Sequence, residues 1–272
     1  LPLSHPVNLA YEAATADLND VNMIDPYHLE AYGETTVNYN RDVEIFPVLK
    51  AIFMQIYGDC PYQSPTDMGV NMAGKCIVDD EVCRKASCQE IIRRYYHTLV
   101  NIARGKAKEE EAYKIELLMN KAGVTTKDRK VVEAALRRAE ETGHTAAALE
   151  LPDGRVITGK TSELMGACSA LLIKALKVLA DIDRDVLLIT PNVIMPIQKL
   201  KVNYLGSRNP RLHMEEVLIA LSASSESNEV ADLALRQLPH LRGSQVHTSR
   251  MLSDTDEKTF QKLGVMLTSE PR

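Results

Sequence analysis

Residues 146–180, AAALELPDGRVITGKTSELMGACSALLIKALKVLA, are the stretch on which the fold of this chain turns. Two short extended runs flank a Pro152-Asp153-Gly154 turn, which is hairpin composition. A polar break follows at Gly159-Lys160-Thr161-Ser162, and then a long apolar helix. Leu164, Ala167, Cys168, Leu171, Leu172, Ala175, Leu176 and Leu179 recur at helical spacing on one wide face. So broad an apolar face is expected to lie across a sheet, and the carboxyl-terminal half is read as built on this helix.

Upstream of Thr145 the period is helical almost throughout. Residues 8–18 form one expected helix, and Asp25-Pro26 opens a short one carrying His28 and Glu30. Asn40 is an N-cap, Asp42 and Glu44 suit the positive first turn, and Ile45, Leu49, Ile52, Phe53 and Ile56 form a stripe that Gly58 ends. Pro47 fits there only as a kink or near the start. Ser64, Pro65 and Asp67 read as a further helix start. Three helices follow, from Asp79 or Asp80 to about Arg104, over 106–122 and over 126–142, with Gly105, Gly123 and Gly143 as stops. Thr125 and Asp128 form a capping box for the third.

Downstream, strands are expected at 185–190 (DVLLIT), 245–249 and 265–268. Helices are expected over 192–204, from Asn209-Pro210, from Asn228 to Pro239, and from Ser253 to Gly264. The order β-β-α-β-α-α-α-β-α-β implies a mixed sheet with the hairpin at one edge. The fold class is α+β or α/β, with a helical region over 1–143 and an α/β subdomain over 144–272.

Composition narrows the function classes. Net charge is −5 over 272 residues, so no basic phosphate-binding face is expected, and with no Trp and 3 Phe a base-stacking platform would have to rest on the 10 Tyr. No apolar run reaches bilayer-spanning length, and no signal-peptide pattern is present. Five cysteines (Cys60, Cys76, Cys83, Cys88, Cys168) without disulfide-scaffold spacing read as reduced thiols, which points to the cytoplasm. Their spacings match no structural zinc pattern. The chain begins at Leu1 in LPLSHP and is read as a piece of a longer polypeptide.

The stretches NMIDPYHLEAYGETTVNYNRDVEIFPVLK, YQSPTDMGVNMAGKCIVDDEV, SCQEIIRRYY, LELPDGRVITGKTSELMGA and DEKTFQKLGVMLTSEP together carry a resemblance. They resemble the bacterial family known as domain of unknown function eighteen-forty-six, over essentially the whole chain. The resemblance implies a helical middle region, a cytidine-deaminase-like carboxyl-terminal subdomain and a missing amino-terminal half. It implies no activity. It also implies cysteine where this chain has Ser244 and Ser269, so no thiol role is carried over at either.

Gly154 to Thr161 spells G-x-x-x-x-G-K-T, the form of a phosphate loop. Its middle residues Val156-Ile157-Thr158 prefer a strand, whereas the mechanism needs a loop of converging N–H groups. The match is read as accidental, leaving Lys160, Thr161 and Ser162 at a helix N-terminus as candidate anion ligands. A zinc deaminase needs H-x-E and P-C-x-x-C. His28-Leu29-Glu30 spells the first, no C-x-x-C exists, and no zinc is expected. His247 is read as structural. The remaining candidates are Asn38, Asn40, Arg41 and Asp42 in one loop and Ser64, Thr66, Asp67 and Asn71 in another, with Arg41, Asp42 and Asp67 as catalytic candidates. Two readings follow. One is a cytosolic enzyme acting on a small phosphorylated or nucleotide-like ligand. The other is a non-catalytic scaffold or sensor, possible as a homo-oligomer. A small anionic ligand and the missing half are the expected partners, with no nucleic acid and no membrane.

Overall fold

The computed structural model describes residues 40–60 and 80–272. The expected helices over 8–18 and at Asp25-Pro26, and the helix start at Ser64, lie outside the described residues. The chain divides into two compact units, Leu1–Ile92 with Ile115–Val124, and Arg93–Lys114 with Thr125–Arg272.

Helix α1, Asn40–Tyr57, runs through Pro47 and ends at Gly58, whose φ of 74° only glycine adopts without strain. Helix α2, Asp80–Ala103, and helix α3, Glu109–Ala122, follow. Within the first unit Ile91, Ile92, Ile115 and Met119 are buried.

The second unit is organised by a four-stranded sheet. The expected capping box forms, with the Thr125 N–H donating to Asp128 at 2.6 Å. It precedes helix α4, Lys130–Thr142, which Gly143 closes in the left-handed region. Strands β1, Ala146–Glu150, and β2, Val156–Lys160, make the hairpin. Helix α5, Ala167–Leu179, is the apolar helix. Helix α6, Pro191–Lys199, continues into a π-turn over Leu200–Tyr204. Helices α7, Met214–Ser225, and α8, Glu229–Leu235, lead to β3, Gln245–Thr248. Helix α9, Asp254–Lys262, with Ser253 as its N-cap, returns the chain to β4, Met266–Ser269.

The sheet order is β2-β1-β3-β4. The pairs β2–β1 and β1–β3 are antiparallel, and β3–β4 is parallel. The unit is thus mixed α and β, as expected, with the hairpin at one edge. On one face Ala147, Leu149 and Val246 meet Leu171, Leu172, Ala175 and Leu176 of α5 in the main core. Each of those leucines contributes about 1.5–3 kcal/mol by burial. On the other face Val131 and Ala135 of α4 lie on Ala148.

Four expectations are corrected. Residues 185–190 form no strand; they are an irregular loop that buries Leu188 and Ile189 and leaves Leu187 exposed. Four apolar residues in a row, Val186 to Ile189, satisfied the strand pattern, but Leu188 and Ile189 are buried in the helical core rather than paired. The polar break begins at Thr161, because Gly159 and Lys160 belong to β2. Helix α5 begins at Ala167, so Leu164 lies outside it, and Thr161 and Ser162 are not at its N-terminus. Asn209-Pro210 is irregular, with Asn209 Oδ1 accepting the Arg211 N–H at 3.1 Å, and the helix expected there starts four residues after Pro210 at Met214.

The second glycine of the phosphate-loop spelling has a packing role. A Cβ on Gly159 would stand 2.6 Å from the Leu171 amide nitrogen and 2.7 Å from the Ala167 carbonyl oxygen. Gly159 therefore lets β2 and α5 approach closely, and the extended backbone around it cannot cradle a phosphate.

Candidate functional site

Two polar constellations occupy the second unit. The first is built on the sheet face opposite α5. Arg129, just ahead of α4, is 1% exposed. Its Nη2 donates to the carbonyls of Val246 at 3.1 Å and Met266 at 2.8 Å, clamping the parallel pair β3–β4. Its Nη1 donates to Gln245, and its Nε donates to Thr268 Oγ1 at 3.0 Å. Thr268 Oγ1 lies 2.9 Å from His247 Nδ1. The Thr268 hydroxyl accepts from Arg129 and donates to the Val246 carbonyl at 3.1 Å, so its remaining lone pair faces His247 Nδ1. Nε2 stands 3.3 Å from Glu270 Oε1, but off axis, so the contact is electrostatic rather than an aligned hydrogen bond. Tyr96 of α2 sets its ring edge-on to His247, with centroids 4.8 Å apart.

Burial holds His247 below the ordinary histidine range, against the pull of Glu270. The Glu270 carboxyl is held low by His247 first, with its own burial opposing. Burial and Glu270 push the Tyr96 phenol well up. These directions agree with a neutral imidazole beside an ionised carboxylate. The constellation is enclosed, and its first office is to hold the sheet together. Ser244, at the entry to β3, is fully buried and its Oγ has no hydrogen-bond partner.

The second constellation lies where the leading ends of α5, α7 and α9 meet. The Gly166 N–H donates to the Leu212 carbonyl at 3.1 Å, and the Leu212 N–H donates to the Leu164 carbonyl at 3.0 Å. Arg211 Nε donates to the Ser162 carbonyl at 2.7 Å. The loops ahead of α5 and α7 are thereby stitched together. Asp256, in the first turn of α9 and 7% exposed, accepts the Met214 N–H at 3.1 Å. Its other oxygen stands 3.4 Å from His213 Nδ1. The His213 ring remains 41% exposed. The His213 N–H donates to Glu216 at 2.8 Å, and buried Lys201 donates to Glu216 at 2.7 Å and to the Arg211 carbonyl.

Asp256 pushes His213 above the ordinary histidine range, against burial and Lys201. Burial drives the Asp256 carboxyl up, but His213, the Met214 amide and Ser253 together outweigh it and hold it low. A buried carboxylate orienting an imidazole that still reaches solvent can accept or deliver a proton at the outer ring nitrogen. Cys168, at the start of α5, is buried, and desolvation with Asp256 pushes its thiol well up, so it is no nucleophile.

Among the sequence candidates, Asn38, Ser64, Thr66, Asp67 and Asn71 lie outside the described residues. Asn40, Arg41 and Asp42 form the first turn of α1, and their side chains lie outside what is described. Lys160 ends β2. Thr161 donates its N–H to the Thr145 carbonyl, and Ser162 Oγ accepts from the amides of Leu164 and Met165. Thr161 and Ser162 therefore belong to the loop stitched to the His213 segment. Sequence reasoning missed His213 and Asp256. Asp256 fell inside the helix read from Ser253 to Gly264, and the early helix start at Asn209-Pro210 put His213 inside a supposed helix. Among the described residues no cluster of three or more His, Cys, Asp and Glu could hold a metal, and no helix is long and apolar enough to cross a membrane.

Two family models match the chain: "Domain of unknown function DUF1846, N-terminal" over residues 1–123, and "Domain of unknown function DUF1846, C-terminal" over 127–272. The chain is similar to a UPF0371 protein of Streptococcus thermophilus (strain CNRZ 1066), 58% identical over 271 residues. It is also similar to UPF0371 proteins of Corynebacterium urealyticum and of Streptococcus pneumoniae (strain JJA), each 57% identical. In every case the match covers 100% of this chain and 55% of the relative. The chain thus spans about half the length of these relatives.

Proposed function

The chain belongs to the DUF1846 family, whose name states no activity, and on that premise we propose that it is part of an enzyme for a small anionic ligand, phosphorylated or nucleotide-like. His213, set by Asp256, handles the proton. The observation that carries this reading is the imidazole itself: 41% exposed, oriented by a carboxylate that is almost wholly buried. Lys160, at the end of β2, and Thr161 and Ser162, on the loop that follows it, are the proposed anion contacts of this unit, while Asn38, Asn40, Arg41, Ser64, Thr66 and Asn71 stay separate ligand candidates of the helical region. Arg41, Asp42 and Asp67 remain catalytic candidates of the helical region, independent of His213. The strand order β2-β1-β3-β4, with a hairpin edge and one parallel pair, supports a cytidine-deaminase-like topology. It supports the topology alone, since fold does not carry chemistry.

The test is a thermal-shift and NMR screen of nucleotides, sugar phosphates and acyl phosphates, with and without magnesium, against the parent, His213→Ala and Lys160→Ala. A ligand that stabilises the parent, shifts the His213 ring resonances and fails on a variant supports the reading. A ligand that leaves His213 unmoved, or no ligand at all, overturns it.

A second reading, a scaffold or assembly module, is favoured by one observation. Leu187 is exposed in the 185–190 loop, and Met195, Leu200, Tyr204 and Leu205 are exposed along α6, its π-turn and the residue after it. The remainder of the family polypeptide or a second copy is the proposed cover. Sedimentation of the parent against Tyr204→Glu, and of a longer relative carrying the same change, separates the two.

A further inference from the structure

We propose that the cavity between α5, α6 and the 185–190 loop binds the chain of a short aliphatic carboxylate, with the ammonium of Lys177 meeting its head. The cavity holds about 100 Å³. Ile173, Leu188, Ile189 and Ile194 line it, and Leu164 and Leu187, which also line it, reach solvent. An apolar cavity of about 150 Å³ stays dry and accepts a benzene ring, so this one suits a chain of about four carbons. The loop explains why the cavity exists. Its apolar run was expected to pair as a strand, and instead its side chains form one wall.

Lys177 gives the cavity its chemical preference. It lines the cavity and is 8% exposed. Its Nζ donates to the Arg184 carbonyl at 2.8 Å, its described hydrogen bond, so two of its three N–H donors are uncommitted there. Burial pushes its ammonium below the ordinary lysine range, and Asp185 and Asp183 pull it back. A single buried ammonium against apolar walls matches a monocarboxylate better than a phosphate, whose oxygens need several donors. No described hydrogen bond or ion pair joins Lys177 to His213 or Asp256, and the inference stands apart from the proton-handling reading.

The test follows the methyl resonances of Ile173, Ile189 and Ile194 as the whole chain is titrated with acetate, propionate, butyrate, isovalerate and hexanoate. Affinity is expected to rise about fourfold per added carbon up to butyrate or isovalerate and to fall at hexanoate. Isovaleramide is expected to bind at least about tenfold more weakly than isovalerate, because it offers the ammonium no charge. Ile173→Phe fills the cavity and abolishes the shifts, and Lys177→Met removes the preference for acid over amide. Equal binding of acid and amide, no dependence on chain length, or no shift of these methyls overturns the proposal. The acid–amide comparison needs only the parent protein, so it holds even where a variant fails to fold.

Discussion

His213 and His247 each face a carboxylate at nearly the same distance, 3.4 Å to Asp256 and 3.3 Å to Glu270, and their proton affinities are pushed in opposite directions. Distance does not decide the matter; solvent does. His247 is fully buried on the sheet, where charging the ring costs more than an off-axis carboxylate returns. His213 keeps part of its hydration at the edge, so the Asp256 contact tips the balance toward imidazolium. It does so against the positive end of α7, whose first turn disfavours a cation. The interior pair is a device for stability, whereas the edge pair retains a proton that a ligand could reach.

The harshest way to break this contrast is to remove the residue that fixes the interior geometry. Arg129→Met would strip donors from the Val246 and Met266 carbonyls and from Thr268, all in the sheet interior. Urea denaturation is expected to show a loss of about 3–5 kcal/mol. A loss below about 1 kcal/mol would mean that the parallel pair does not depend on this clamp. The edge pair should be untouched, with the His213 ring titrating as in the parent.

Gly159→Ala probes how the sequence was read. The added methyl would meet α5 backbone at 2.6–2.8 Å, and backbone cannot swing aside. A destabilisation of about 2–3 kcal/mol is expected from the forced separation of β2 and α5. Thermal denaturation with and without ATP checks both halves of the claim, since no nucleotide-dependent change is expected at this glycine. Much of the fold was legible because the hairpin turn, the apolar face of α5 and the caps at Thr125, Asn228 and Ser253 are local signals. The 185–190 loop was misread because an apolar run reports burial and not pairing. The edge pair was illegible for a different reason. His213 and Asp256 are 43 residues apart and meet only through the packing of α7 on α9. No spacing rule reports that.

His247→Gln sharpens the interior side of the comparison. The amide keeps a polar partner for Thr268 but loses the ring contact with Tyr96. At pH 7 the variant is expected to be about 1–3 kcal/mol less stable. The sign with pH is fixed by the depressed proton affinity. Below the unfolded value near 6.5 the unfolded chain binds the proton more readily, so the contribution of His247 is present above that pH and lost as pH falls. The gap between parent and variant should therefore narrow from pH 7 to pH 5. A gap that widens on acidification would place a stabilising imidazolium in the interior.

His213→Ala gives the smallest effect, with the opposite slope. The folded proton affinity is raised, so the contribution of His213 is complete below about pH 6.5 and disappears as pH rises through the higher folded value. With the ring 41% exposed, screening limits the contribution to about 0.5 kcal/mol. Paired denaturation curves at pH 6 and pH 8 are expected to show a parent advantage at the lower pH that vanishes at the higher one. The variant leaves Asp256 with the Met214 and Ser253 contacts, so the edge keeps its fold while losing its proton. If the advantage persists at pH 8, the ring works there by packing. Asp256 would then be only the cap of α9, and both histidines would be structural.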